Sequence, residues 1–531
     1  MMRKLMIGAA VGTAMLAVPA AARERQITPY IEASQIVTAD LTNDDVLTYT
    51  TLAAGIDATV QTRRVQVQAS YRYEHRFAYD DRLADTDIHS GLLRAAVRVA
   101  KPLTIEGGAL ATRTRSDIRG AAPGVLQGNV ANISQLYAVY AGPTFGSHIG
   151  ELGVSGGYRF GYTKVQAPSI VSPVNGQRLD VFDDSRSQQA QASLNLKSGS
   201  VLPVGITLSG AWSRDDASQL DQVYEGKFGR LDVLYPVSRT LALTAGVGYE
   251  NINISHRDAL FDAAGQPVVD NRGRFQIDPN GQRRIDYDFD GLYYDAGVVW
   301  RPNQRTQLEV HAGERYGSFS AVGSLTYQAS KTVAVRVSGY DGIQTFGRQL
   351  QSSLSDIPTS FNPGSNTIGQ GFNGCVFGAQ GGAAGNCLNS ALQSVSTSAF
   401  RSRGVDAVVS VTRGRTNFGV GAGYANRDYL ASNAGPGFTI DGFEDESYYV
   451  QAYINHQLDT RTSIDGNIFA NYYKSGIGTQ IGVYNVGATG TINRQFGRFN
   501  AFGSVGIYNF GQDQAPSITS IQALIGGRYS F

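Results

Sequence analysis

From Val65 to Tyr79 the chain changes character at every residue. Val65, Val67, Ala69, Tyr71, Tyr73, His75, Phe77 and Tyr79 alternate with Gln66, Gln68, Ser70, Arg72, Glu74 and Arg76. Successive side chains of an extended backbone point to opposite faces. A period of two with this contrast therefore gives a strand with one face toward hydrocarbon and the other toward water or polar side chains. The pattern recurs: Ala190, Ala192, Leu194 and Leu196 oppose Gln189, Gln191, Ser193, Asn195 and Lys197, and Tyr448, Val450, Ala452 and Ile454 oppose Gln451, Tyr453, Asn455 and Gln457. At the carboxy terminus Ala523, Ile525, Gly527, Tyr529 and Phe531 oppose Gln522, Leu524, Gly526, Arg528 and Ser530, with Leu524 the one misfit.

At the other end, Arg3 and Lys4 precede an apolar, Ala-rich run from Leu5 to Val18, and Ala20, Ala21 and Ala22 offer a small-residue cleavage site. Residues 1–22 read as a secretory signal peptide and residues 23–531 as the exported protein. Downstream, no apolar run approaches the length of a spanning helix. The remaining way across a bilayer is a closed β-barrel, because only closure satisfies every backbone donor and acceptor without water. Gly at 63 residues, Tyr at 28 and Phe at 23 against Met at 4 suit strands, turns and aromatic girdles better than helices. A formal net charge of +1 gives no argument for nucleic acid as a partner.

Short polar connections supply a second regularity. Thr62-Arg63-Arg64, Ala100-Lys101-Pro102, Ser238-Arg239-Thr240, Asn303-Gln304-Arg305-Thr306, Ser330-Lys331-Thr332, Arg413-Gly414-Arg415-Thr416, Asp459-Thr460-Arg461-Thr462 and Phe496-Gly497-Arg498 read as hairpin turns at the periplasmic end. Two less regular turns, near Pro143 to Gly150 and Gly199 to Pro203, complete a set of ten. One strand on each side of every turn, plus the first and last segments, brings the count to about 22. The expected fold is all-β: a single transmembrane, antiparallel, up-and-down β-barrel with both ends at the periplasmic side.

The closing segment, ending on Tyr529 and Phe531, resembles the last strand of bacterial outer-membrane β-barrels. That resemblance implies an outer-membrane location, membrane lipid as surroundings, and Tyr529 and Phe531 as a signal read by the barrel-assembly machinery. Over nearly all of the exported chain, the layout, the turn chemistry and the Arg528-Tyr529-Ser530-Phe531 end resemble the β-barrel porins of proteobacteria that often accompany exopolysaccharide or cell-surface polymer systems. Barrels of this size enclose a wide lumen, which in outer-membrane transporters is plugged. Here the first strand begins within a few residues of Arg23, so no plug domain and no energy-coupled receptor of that kind is expected.

The longest outer connection, about Arg348 to Thr397, holds Cys375 and Cys387, whose spacing in an exported, Gly-rich segment points to a disulfide. Candidate lumen-lining charges are Arg72, Glu74 and Arg76 on one strand, Glu309, His311 and Arg315 on another, and Arg336 on a third. They serve either as a polar conduit for a solute or as cross-strand ion pairs bracing the wall. Gly153-Val154-Ser155-Gly156-Gly157 matches a nucleophile elbow but is followed by more strand, Tyr158 to Tyr162, where that motif needs a helix. Gly419, Gly421 and Gly423 line one strand face where bulk is unwelcome. The six histidines stand singly without metal-ligand spacing, so no catalytic, cofactor or metal site, and no enzyme, is expected. The leading expectation is a porin-like pore for polar solutes or surface polymer. The alternative is a non-conducting surface receptor or structural envelope protein that binds through its long extracellular loops.

Overall fold

The computed structural model describes residues 24–79, 86–116, 133–166, 170–171, 178–179, 184–271, 273–362, 372, 374–379, 383–396, 398–430, 442–476, 481–513 and 515–531. The expected leader, residues 1–22, lies outside the described residues. A 22-stranded antiparallel sheet runs from Glu24–Asp40 to Ile518–Ser530 and closes on itself. The seam pairs Tyr30 with Ser530 through to Asp40 with Ser520, and the Phe531 N–H donates to the Pro29 carbonyl at 3.0 Å. Closure leaves no row of unpaired backbone groups facing lipid.

Side chains sort by parity around this ring. Ile27, Ile31, Leu292, Val505 and Ile525 stand on the outer face, each more than half exposed. Glu32, Gln68, Glu74, Arg230 and Asp232 are buried on the inner one. Leu524, the misfit of the closing segment, packs inside the wall with Ile36, Tyr49, Phe502 and Tyr508. An even-numbered closed ring with an apolar outer face and a polar inner one places the protein in the bacterial outer membrane.

The ten short connections lie at the end that carries the seam termini. A short polar side chain satisfies the turn backbone in many of them. Thr62 Oγ1 accepts from the Val65 N–H at 2.9 Å, Asn303 Oδ1 from Arg305 at 2.8 Å, and Asp459 Oδ1 from Arg461 at 2.7 Å. One expected turn is shorter than its sequence suggests. The strand Ile133–Ile149 continues through Pro143 and Gly146, and the reversal is confined to Gly150 and Glu151. Pro143 lacks an N–H, so the ladder to Leu152–Gln166 skips Gly142 and Pro143 and resumes in the same register. The stretch from Gly153 to Gly157 lies inside that second, unbroken strand.

The connection 345–398, which the sequence leaves free either to meet a ligand or to fold inward and narrow the lumen, folds inward. It reads as an outer loop, yet it carries a helix, Phe346–Ser355, a two-strand hairpin, Cys375–Phe377 with Gly385–Cys387, and a short helix, Asn389–Leu392. Phe346, Leu350, Leu354, Ile357 and Phe361 pack against Leu92, Leu110, Leu136, Tyr140 and Val165 of the barrel wall. A fully buried Leu or Phe contributes about 1.5–3 kcal/mol, whereas one hydrogen bond contributes about 1 kcal/mol. Apolar burial therefore keeps the loop inside the barrel when a single polar contact is cut.

Cys375 and Cys387 form a disulfide across the hairpin, which packs with Ala334, Val408 and Tyr449 of the wall. Replacing both cysteines with serine is expected to lower local stability by about 2–3 kcal/mol, as for a small closed loop. Hydrogen exchange of residues 374–392 should accelerate while strand amides stay protected, and unchanged exchange there would count against the staple.

Candidate functional site: a lumen crossed by its own loop

The loop starts at the outer rim, where Thr345 Oγ1 donates to Asp215 Oδ2 at 2.9 Å and Arg348 Nη1 to Ser213 Oγ at 3.1 Å. Toward the periplasmic end, Arg94, only 4% exposed, donates from Nε to the Ile357 carbonyl at 2.8 Å and from Nη2 to the Ser355 carbonyl at 3.0 Å. On the neighbouring strand Gln68, the register partner of Arg94, donates from Nε2 to the Phe361 carbonyl at 2.5 Å and accepts at Oε1 from the Phe361 N–H at 2.8 Å. Gln68 lies close to the periplasmic turn at Thr62, so the loop reaches almost the full depth of the barrel.

The opposite wall holds the same loop. Cys375 N–H donates to Gln451 Oε1 at 2.7 Å, and Ser410 Oγ donates to the Gly378 carbonyl at 3.1 Å. A Cβ on Gly421 would collide with the Cys375 sulfur, and one on Gly419 with the Phe377 ring, so this glycine face is where the hairpin presses on the sheet. The chain then climbs back. Thr114 Oγ1 donates to the Leu392 carbonyl at 3.0 Å. Arg427, fully buried, donates to the carbonyls of Ser394, Ser390 and Ala391 at 3.0, 3.0 and 2.9 Å and to Gln349 Oε1 at 2.9 Å.

All seven candidate lumen charges face inward, in separate groups. Arg72 bonds Glu32 at 2.8 Å and also pairs with Glu74, which Arg76 reaches at 2.8 Å. His311 lies 3.1 Å from Asp295 and 3.2 Å from Glu309, and Asp295 also meets Arg230 at 2.5 Å. Arg315 pairs with Glu250 at 2.5 Å. Arg72–Glu32, His311–Asp295, Arg230–Asp295 and Arg315–Glu250 join different strands of the wall, and the remaining contacts stay within one strand. Arg336 differs, because its partner is Asp356 of the loop, at 3.2 Å.

Beside the loop remains a cavity of about 890 Å³. Its wall presents Asn455, Asn467, Asn471, Asn493, Thr489 and Thr491, with Tyr30, Phe469, Phe502 and Tyr508 among them, and the loop adds Phe361, Phe372 and Asn389. Asp465 Oδ1 accepts from Asn455 Nδ2 at 2.6 Å and Oδ2 from Asn493 Nδ2 at 2.7 Å, so one carboxylate orients two amides. Amides both donate and accept, and ring faces cover apolar C–H surface. Arg72, Arg115, Arg461, Arg528, Asp57 and Asp465 also line the cavity, so the mixed wall suits a polar, hydroxyl-bearing solute better than a lipid chain.

The amide wall and the loop contacts were not among the sequence candidates. A signal for the loop was present: Phe346, Leu350, Leu354, Ile357 and Phe361 recur at helical spacing inside a segment that reads as loop. The amides carry a weaker one, since Asn455, Asn467, Asn471 and Asn493 look like any polar strand face.

No family model matches the chain, and no curated protein matches it. Among solved structures the chain is similar to the siderophore receptor PirA from Acinetobacter baumannii, with 10% identity over 96% of this chain and 81% of that one and a TM-score of 0.41. It is similar to the ferric-catecholate import receptor Fiu from E. coli K12 in its closed form, with 10% identity, 94% and 81% coverage and a TM-score of 0.42. It is also similar to the FrpB iron transporter, F3-3 variant, from Neisseria meningitidis, with 8% identity, 95% and 81% coverage and a TM-score of 0.44.

Proposed function

We propose that this outer-membrane barrel is a gated conduit that binds a small, polar, hydroxyl-rich solute between its in-folded loop and the amide wall, with no catalytic role. The observation that carries the reading is the loop itself, bonded to Gln68 on one wall and to Gln451 on the other. A freely open porin-like pore needs the space this segment fills, so the reading lies nearer to the receptor expectation, with recognition inside the barrel rather than on outer loops. Passage of a surface polymer would need the loop withdrawn. Tyr529 and Phe531, on the outer face of the closing strand, serve in this reading as the mark for the assembly machinery.

Liposome swelling with neutral sugars of increasing length tests the proposal. Removing two amides, Asn467→Ala with Asn471→Ala, gives up hydrogen bonds of about 0.5–1.5 kcal/mol each. Neutral-sugar flux should fall by roughly tenfold while potassium chloride conductance stays the same. Flux that depends only on solute size, in the variant as in the parent, would reject the solute site.

A further inference from the structure

The basic residues of the short turns are not explained by the barrel or by the lumen. Nine of the ten turns carry an Arg or Lys in or beside the reversal; the Gly150-Glu151 turn is the exception. In several of them the turn geometry is built by a different side chain. Thr62, Ser238, Asn303, Ser330 and Asp459 each accept a backbone N–H two residues on, which leaves Arg63, Arg239, Lys331 and their like free of any turn-forming task. Arg63, Arg64, Arg239, Arg305, Lys331 and Arg498 are all exposed, and among the described residues none of these six forms an ion pair with an acidic side chain.

The opposite rim behaves differently. Asp44, Glu314, Glu444 and Asp513 stand exposed there. The outer cations Arg257 and Arg284 are matched by Asp221 at 3.4 Å and Asp258 at 2.7 Å. With a whole-chain net charge of +1, the periplasmic cations are a local arrangement and not a reflection of overall basicity.

Height and distribution identify the partner. Exposed outer-face aromatics Tyr235, Trp300, Tyr327 and Phe496 sit within a few residues of Arg239, Arg301, Lys331 and Arg498. Such aromatics mark the membrane–water interface, so cations just beyond them reach the level of the lipid head groups. The cations also run around the circumference, on turns between strands from Asp45–Gln61 to Phe499–Gln512. A docked protein would cover one sector, and a solute would meet the axis. Lipid surrounds the whole ring.

We infer that the periplasmic turns form a basic collar that binds the phosphates of anionic phospholipids in the inner leaflet. Guanidinium and ammonium groups at this level are attracted to an anionic leaflet, and Arg adds bidentate bonding to phosphate oxygens.

The test uses the full-length barrel folded into bilayers of phosphatidylcholine with about 30% phosphatidylglycerol, an anionic leaflet of the kind polybasic segments recognise. After detergent extraction the retained lipids are counted by mass spectrometry. The parent should retain phosphatidylglycerol over phosphatidylcholine by about three- to tenfold, and salt should weaken the preference. The combined variant Arg63→Gln, Arg64→Gln, Arg239→Gln, Arg305→Gln, Lys331→Gln and Arg498→Gln should lose it while keeping heat-modifiable migration. The four-site control Arg63→Lys, Arg64→Lys, Arg239→Lys and Arg305→Lys, which keeps the charge, should retain it. If the glutamine variant does not fold, the salt series on the parent decides alone: enrichment that ignores salt overturns the collar. Equal enrichment in parent and variant overturns it too, as does capture of soluble polyphosphate with no dependence on lipid composition.

Discussion

Deleting residues 346–396 and joining the ends with a short Gly-Ser link should turn a weakly conducting barrel into a wide, permanently open one. The wall does not depend on the loop for its hydrogen bonds, because Val333–Gln344 and Ala399–Arg413 pair directly with each other. A ring of 22 strands is wide enough to hold an aqueous channel when nothing fills it. Single-channel conductance in planar bilayers should rise by on the order of tenfold or more, with large hydrophilic solutes admitted. A deletion variant that folds, as judged by heat-modifiable migration, yet conducts like the parent would refute the account of the loop as the occluding element.

A smaller change should loosen the same door without removing it. Arg427→Ala leaves the carbonyls of Ser390, Ala391 and Ser394 without their buried donor. Stranding buried acceptors of this kind costs about 2–4 kcal/mol. The barrel itself should remain folded, because strand Thr416–Leu430 keeps both of its ladders. The penalty should fall on loop docking. Brief opening events in bilayer recordings should become about 30-fold to several hundred-fold more frequent, and hydrogen exchange over residues 389–396 should accelerate. Exchange that accelerates equally in all strands would show a global defect instead.

The strands were readable from the sequence because hydrocarbon demands an apolar side chain at every second residue. The segment from Val65 to Tyr79 and the closing ten residues show that demand directly, and the observed strands Val65–Ala78 and Ile518–Ser530 follow it. The lumen was less readable, for a physical reason. A glutamine facing water and a glutamine facing an inserted carbonyl have the same sequence signature, so Gln66 and Gln68 gave no warning that Thr359 and Phe361 dock on them. Likewise Arg72, Arg315 and Arg336 share an inward position, and only geometry separates the two that meet wall carboxylates from the one that meets the loop. The helical spacing of Phe346, Leu350, Leu354, Ile357 and Phe361 was the legible clue, since an apolar stripe has no use in a segment surrounded by water.

The position of the two sulfurs bears on how the molecule is made. Cys387 is 1% exposed and Cys375 8%, at a hairpin seated between loop and wall. An oxidant in the periplasm has little access to them after the cylinder has sealed. The cross-link is therefore expected to form before the hairpin docks in the lumen, and alkylation of Cys375 and Cys387 during synthesis would check that order.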